Sequence, residues 1–400
     1  MLSGRWFRYA AVVKMVPRAL LLLLLLVHCG RGDADVRPDA ASAGGSPIDA
    51  GAEPLHVAAP PQEQPPEPTR PPGLFRMGRF VDTQARGAQG QRGLRFAWSG
   101  STIRARFRGR VARVRLDDEQ GHNFFRVKID DAVSVFETTQ GEHVYSLAAD
   151  LGDGVHTLEL VKRTEARSGE VELVALELPD GELLAPPPHK SRHIEILGDS
   201  ISTGYGVLGA EDPGCPDAAK LTDETVTAGA LLADMFDAEH TTIAWSAKTI
   251  REVSDLWERA LPAREKSLWD FSIAPDAVIV NLGTNDFYTG DPGREAFVRR
   301  YSALIAKLRA HYKQAWIVAM LGPMLSDVYP ENKHHYTLAQ GHMRAAMDAI
   351  TAHGESRVSL VDFGPADPGD GWACHFHPNP KTHHKMAGAL ARVLRENLSW

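Results

Sequence analysis

His193-Ile194-Glu195-Ile196-Leu197-Gly198-Asp199-Ser200-Ile201-Ser202-Thr203-Gly204-Tyr205-Gly206 is the stretch whose reading decides the fold. Residues 194–197 set apolar side chains around Glu195 and stop at Gly198, the pattern of a short strand running into a tight turn. Ser200 falls where that turn ends, at the edge where open α/β sheets gather ligands, and Gly198 permits a close approach that a Cβ would hinder. A plainer reading stands beside this one: Asp199 and Ser200 are ordinary turn and N-cap residues, which makes the stretch a capped loop. The choice between them depends on whether a base and suitable hydrogen-bond donors lie downstream.

Working outward, the chain beyond 190 alternates strands with helices. Strands are predicted at 242–245, 277–281, 316–321 and 358–361, and helices at about 223–236, 292–312, 336–352 and 380–397. That alternation argues for a parallel sheet covered on both faces. Asn379 and Pro380 mark the last helix start as N-cap and first-turn residue, and Glu224 suits the start of the first. Just before that cap, Ala373-Cys374-His375-Phe376-His377-Pro378 offers His377 as a base for Ser200, because imidazole titrates near neutrality. A surface histidine in a His-rich loop, or a zinc site drawn from His375, His377, His383 and His384, are the competing readings, and no carboxylate motif accompanies the latter. Asn281-Leu282-Gly283-Thr284-Asn285-Asp286 follows an apolar strand. Asn285 there can donate to a developing oxyanion, or simply close the strand in an Asx turn.

Upstream, 74–186 reads as a separate all-β domain. Strand-like runs at 94–98, 102–107, 111–116, 123–129, 133–136, 143–147, 155–161 and 171–176 are punctuated by Gly, Ser and Asp turns, the signature of a β-sandwich or jelly roll. Such sandwiches often bind sugars, and a packing role is the equal alternative. Arg104, Arg106, Arg108, Arg110, Arg113 and Arg115 alternate with apolar residues, which assigns them to the solvent face of two strands. Leu184-Ala185-Pro186-Pro187-Pro188 marks the boundary with the second domain at 190–400.

The segment 30–73 is rich in Ala, Pro, Gly and acidic residues and reads as a disordered spacer. Before it, Arg5, Arg8, Lys14 and Arg18 precede the apolar run 19–27, so 1–29 reads as a signal peptide. The run ends at Cys29, which resembles a bacterial lipoprotein signal with Cys29 as the lipidated residue, although His28 departs from the small residue usual there. The expectation is an exported chain: a cell-surface or periplasm-facing lipoprotein, touching membrane only through that anchor, and otherwise secreted. With Cys29 set aside, Cys215 and Cys374 suggest a disulfide in an oxidising compartment; two buried free thiols are the alternative. The 44 basic and 51 acidic residues give a net charge of −7, which argues against a nucleic-acid partner.

Gly198-Asp199-Ser200, Gly283-Thr284-Asn285-Asp286 and His377-Pro378, in this order, resemble the first, third and last blocks of the SGNH (GDSL) hydrolases. The resemblance implies the SGNH α/β fold, a parallel sheet flanked by helices, with Ser200 as nucleophile and His377 as base. The second block falls in 244–249, where Ala247 stands at the position of the family's oxyanion-hole glycine, joining the Ser200 amide and the Asn285 side chain. A β-sandwich ahead of such a domain, with Phe96-Ala97-Trp98-Ser99-Gly100-Ser101, Asn123-Phe124-Phe125-Arg126-Val127, Leu160-Val161-Lys162-Arg163-Thr164-Glu165 and His383-His384-Lys385-Met386-Ala387, more closely resembles carbohydrate esterase family 2. This implies removal of O-acetyl groups from polysaccharides or oligosaccharides such as xylan and glucomannan, without cofactor or metal. A lipase or lysophospholipase, and a non-catalytic glycan-binding surface protein, are the alternatives. Cys374 occupies the position where most SGNH hydrolases carry the triad aspartate, and the resemblance implies a Ser-His dyad with a backbone carbonyl orienting His377. Asp370 is the nearest acidic alternative. Trp245 and Trp372 flank the motifs and suit stacking on a sugar, or packing in the core.

Overall fold

The computed structural model describes residues 71–85, 92–210 and 215–400. Cys29 and the rest of residues 1–70, on which the signal-peptide, lipidation and spacer expectations fall, lie outside the described residues.

Period-two alternation builds the first half. Along β5 (Ala112–Asp118), Val114 and Leu116 are buried while Arg113 and Arg115 face outward, and β4 (Thr102–Arg108) repeats the pattern with Ile103, Ala105 and Phe107 inside. One antiparallel sheet runs β1 (Phe75–Met77), β4, β9 (Val155–Lys162), β6 (Phe124–Ile129), β7 (Ala132–Glu137), with β11 (Glu182–Leu183) also paired to β4. The other runs β2 (Val81–Ala85), β3 (Arg92–Phe96), β10 (Val171–Glu177), β5, β8 (Gly141–Ala148). Phe96, Phe107, Leu116, Phe125 and Leu160 fill the space between them. The eight predicted strands are present with shifted ends; β1, β2 and β11 were not predicted, being too short or too polar to show an alternation.

The second half carries a parallel sheet in the order β13 (Glu239–Ala244), β12 (His193–Gly198), β14 (Ala277–Asn281), β15 (Trp316–Leu321), β16 (Val358–Asp362). Two short helices, α1 (Ser200–Thr203) and α2 (Ala218–Leu221), follow β12; helices α3 (Ala228–Met235) and α7 (Pro380–Leu398) cover one face of the sheet, and α5 (Arg294–His311) and α6 (His335–Ala352) cover the other. The reversal of strand order lies between β12 and β14, the place where open α/β sheets bind ligands.

The predicted 223–236 helix is two pieces: a 3-10 turn at Glu224–Val226, then α3, because Thr227 is extended and caps α3 through Ala230 N–H. Glu224 opens that 3-10 turn and is fully buried, accepting from Thr242 Oγ1 at 2.6 Å. The strand predicted at 242–245 begins at Glu239. A helix α4 (Ile250–Leu256) was missed although Thr249 and Glu252 form a complete capping box, a signal visible in the sequence. Glu195, set among the apolar residues of β12, is buried and accepts from Arg79 Nη2 at 3.1 Å, Trp257 Nε1 at 2.6 Å and Tyr312 OH at 3.1 Å.

Arg79 belongs to the sandwich and is itself fully buried, so this ion pair welds the two halves together. Losing one partner of such a pair costs about 3–5 kcal/mol because the other charge is stranded. Arg163 of the sandwich pairs with Asp223 at 2.9 Å, and Arg264 with Glu170 at 2.8 Å, across the same boundary. Both halves belong to one compact unit.

Candidate active site

Ser200 opens the four-residue helix α1 (Ser200–Thr203), which follows β12 directly. Asp199 is its N-cap, accepting from Ile201 N–H at 3.0 Å, so the capped-loop reading and the exposed-serine reading describe the same turn. A Cβ on Gly198 would collide with the Ser202 side chain, which is why the strand ends in glycine there.

His377 lies between Cys374 and the N-cap Asn379, whose side chain accepts from Thr382 N–H at 3.0 Å and starts α7 after Pro380. Its Nε2 stands 2.7 Å from Ser200 Oγ, and its Nδ1 stands 3.0 Å from the Cys374 carbonyl oxygen. A carbonyl only accepts, so the proton sits on Nδ1 and the Nε2 lone pair faces the serine hydroxyl. His377 and Ser200 are both buried, and burial lowers the His377 pKa to about 4. The imidazole is therefore neutral at ordinary pH. Asp370 is turned elsewhere: Lys381 at 2.9 Å and Lys385 hold its carboxylate, and those cations keep its pKa below the usual value.

The turn that carries His377 is tightly constrained. His375 and Phe376 both have left-handed backbones, with φ of 53° and 60°. Cys374 is joined to Cys215 by a disulfide with Cα atoms 5.8 Å apart, and its N–H donates to Gly206 O at 3.3 Å. Gly206, at φ 59°, lies flat against Cys374, and a Cβ there would overlap the cysteine.

The loops after β13 and β14 bring the remaining predicted residues to the same edge. Ala247 sits at φ 64° in a turn closed by Lys248 N–H donating to Trp245 O at 3.3 Å. That is the left-handed region, which glycine takes freely and alanine only when held. Asn285 Nδ2 donates to Asp199 Oδ2 at 3.2 Å and to Lys248 O at 3.1 Å. Its amide thus bridges the residue before Ser200 and the residue after Ala247. Both of its N–H bonds have partners inside the protein, and an oxyanion at this point would have to share one of them. Burial, with a smaller contribution from Asp286, raises the Asp199 pKa to about 7.

Trp245 and Trp372 are half-buried; Trp245 packs on the core beneath Lys248, and Trp372 meets Phe376 edge-on at 6.2 Å. The neighbouring histidines have separate partners: His383 Nδ1 accepts from Ala228 N–H, His384 faces Pro380 O, and His375 lies 3.4 Å from Tyr205 OH. Among the described residues no group of three His, Cys, Asp or Glu side chains is placed to hold a metal ion. Residues that sequence reasoning missed also converge here. The Tyr205 ring lies 4.9 Å from that of His377, Arg167 of the sandwich lies over Tyr205 at 5.5 Å, and Glu165 reaches the Ala247 turn. Tyr205 stood in the opening stretch between Gly204 and Gly206, both at positive φ, and that spacing was its only signal.

Comparison with known proteins bears on these two halves separately and together. Residues 77–188 match the family model described as carbohydrate esterase 2 N-terminal, and residues 196–385 match the GDSL-like lipase/acylhydrolase family. The chain is 31% identical over 342 residues to the cellulase/esterase CelE of Acetivibrio thermocellus, spanning 82% of this chain but only 40% of that protein's length. An acetylxylan esterase / glucomannan deacetylase of Cellvibrio japonicus is 24% identical over 77% of this chain and 86% of its own. A solved family two carbohydrate esterase from Clostridium thermocellum, in complex with cellohexaose, superposes with a TM-score of 0.75 at 30% identity, covering 82% of this chain and all of that one. With both family models in this order, and the whole of a solved member matched at that identity, the chain belongs to carbohydrate esterase family 2.

Proposed function

We propose that the chain is a serine esterase that removes O-acetyl groups from polysaccharides or oligosaccharides through a Ser200-His377 dyad. The observation that carries this is the alignment Cys374 O, His377, Ser200 Oγ, at 3.0 and 2.7 Å. His377 takes the Ser200 proton at Nε2 as Oγ attacks the acetyl carbonyl; the C–O bond to the sugar breaks, and Nε2 returns the proton to the leaving alcohol. Water, deprotonated by the same nitrogen, then attacks the acyl-serine; the acyl C–Oγ bond breaks, Nε2 returns the proton to Ser200 Oγ, and acetate leaves. The amides of Ser200 and Ala247, with the Asn285 side chain, stabilise the oxyanion, each donor worth about 3 kcal/mol in the transition state. Trp372, half-buried beside Phe376, offers a ring face for the sugar, whereas Trp245 is packed on the core with Lys248 over its ring. The naming of a relative as an acetylxylan esterase and glucomannan deacetylase supports the substrate class.

The test is acetate release from acetylated xylan, acetylated glucomannan and p-nitrophenyl esters of increasing chain length, with Ser200→Ala as the blank. Release from the acetylated glycans and from the short aryl ester is expected, with the blank at background. Inert glycans together with rapid cleavage of long acyl chains would instead make this a lipase.

The buried imidazole also sets the pH response. Only neutral His377 accepts a proton, and its pKa is lowered from the ordinary 6.5 to about 4. Activity is therefore retained as pH falls past 6.5 and is lost through about 4. A profile of kcat/KM against pH for a soluble aryl acetate measures this, and an acid limb centred at 6.5 would contradict the burial argument.

A further inference from the structure

The segment 162–165, quoted above for its resemblance, has a place in the fold that the dyad does not explain. It leaves β9 of the sandwich and ends against the carboxyl edge of the parallel sheet. Lys162, fully buried, donates to Thr164 O at 2.9 Å and to Glu165 O at 3.0 Å, which stiffens the backbone. Arg163 donates to Thr222 O at 3.1 Å and pairs with Asp223, which fixes the segment to the α/β half. Glu165 is 3% exposed: Oε2 accepts the Ser246 N–H at 2.9 Å, and Oε1 pairs with Arg167 Nε at 2.8 Å.

Ser246 immediately precedes Ala247, whose backbone is left-handed. An alanine in that region needs outside restraint, and the turn has it at successive positions. Gly198 O receives the Trp245 N–H at 3.2 Å, Glu165 receives that of Ser246, and Asn285 donates to Lys248 O. Two of these restraints come from the catalytic half itself, and the third comes from the sandwich.

We propose that Glu165 is a positioning residue of the esterase site: through the Ser246 amide it holds the 245–248 turn in the conformation that presents the Ala247 N–H to the developing oxyanion. The inference rests on the ester-hydrolysing role assigned to Ser200. It makes the sandwich a working part of the catalytic centre, with Glu165 acting through the turn and not on the substrate.

The test compares Glu165→Ala, Glu165→Leu and Glu165→Gln in the full chain on p-nitrophenyl acetate, with rates expressed per serine titrated by a p-nitrophenyl phosphonate. Glu165→Leu keeps the volume but offers no acceptor, and it stands in where Glu165→Ala leaves no titratable serine. Loss of the acceptor is expected to lower kcat by roughly 10- to 100-fold with KM within about two-fold, since a misplaced donor acts on the transition state. The acid limb of the pH profile stays in place, because His377 is untouched. Glu165→Gln, whose amide oxygen still accepts from Ser246, is expected to keep at least about a third of kcat. Combining Glu165→Leu with Ala247→Gly, which removes the strain, is expected to recover part of the loss.

Wild-type kcat in Glu165→Leu, equal damage from Leu and Gln, a displaced acid limb, or no recovery with Ala247→Gly would each overturn the proposal. Ser200→Ala separates the two levels. Activity surviving in Ser200→Ala removes Ser200 as the nucleophile, whereas an inert Ser200→Ala beside a fully active Glu165→Leu removes only the role of Glu165.

Discussion

His377→Ala is expected to lower kcat for acetyl ester hydrolysis by about four orders of magnitude, while Asp370→Ala leaves it within about three-fold. The first figure follows from His377 Nε2 being the group 2.7 Å from Ser200 Oγ: without it the hydroxyl keeps its proton, and only binding and oxyanion stabilisation remain. The second follows from where Asp370 points. Its carboxylate is held by Lys381 and Lys385 near the start of α7, and its backbone oxygen accepts from Asn379 Nδ2 at 2.7 Å, so it braces the helix entrance. The Nδ1 side of the imidazole is taken by the Cys374 carbonyl. That neutral acceptor selects the productive tautomer but stabilises an imidazolium less than a carboxylate would. Steady-state rates on an aryl acetate, with folding checked by circular dichroism, decide the matter. An Asp370→Ala enzyme as slow as His377→Ala would make Asp370 the third member of a triad and remove the dyad.

The parts of this molecule legible in its sequence were those set by local rules. Alternation in 102–108 and 112–118 placed the arginines outward because a strand's side chains take opposite faces regardless of what lies farther off. Asn379 and Pro380 placed the start of α7 because capping involves only neighbours. Ser200, Asn285 and His377 could be named since each follows or precedes an element whose type was clear. What escaped depended on long-range partners. Glu195 stands among the apolar residues of a strand, and its burial is made tolerable by Arg79, 116 residues earlier, together with Trp257 and Tyr312. Glu165 belonged to a motif without an assigned purpose until its partner, 81 residues on, was known. The Thr249 and Glu252 capping box is the exception: it was local, and a search for helices outside the longest apolar patterns would have found it.

Removing the disulfide by a Cys215→Ser, Cys374→Ser double substitution is expected to cost both stability and turnover, and the two losses have different origins. The bridge spans 159 residues, and closing a loop of that length in the unfolded chain is worth up to about 5 kcal/mol in the chain-entropy account, with about 2–4 usual. A fall in Tm of roughly 3–7 °C follows for a unit of this size. The loss of turnover is local. Cys374 is held between Cys215, the Gly206 carbonyl and the surfaces of Gly206 and Gly209, and it must support two left-handed residues, His375 and Phe376, before the chain reaches His377. Freed of the bridge, that turn can relax its strain by moving the Cys374 carbonyl, and His377 then loses the acceptor that fixes its tautomer. A fall in kcat of about ten-fold is expected at 25 °C, well below the lowered Tm, with rates again taken per titratable serine. Unchanged kcat in a destabilised double variant would mean that backbone hydrogen bonds alone hold the turn. A lowered kcat means that the position which elsewhere in the SGNH hydrolases supplies a carboxylate has kept its task here by other means: the cysteine's sulfur anchors the turn, and its carbonyl orients the base.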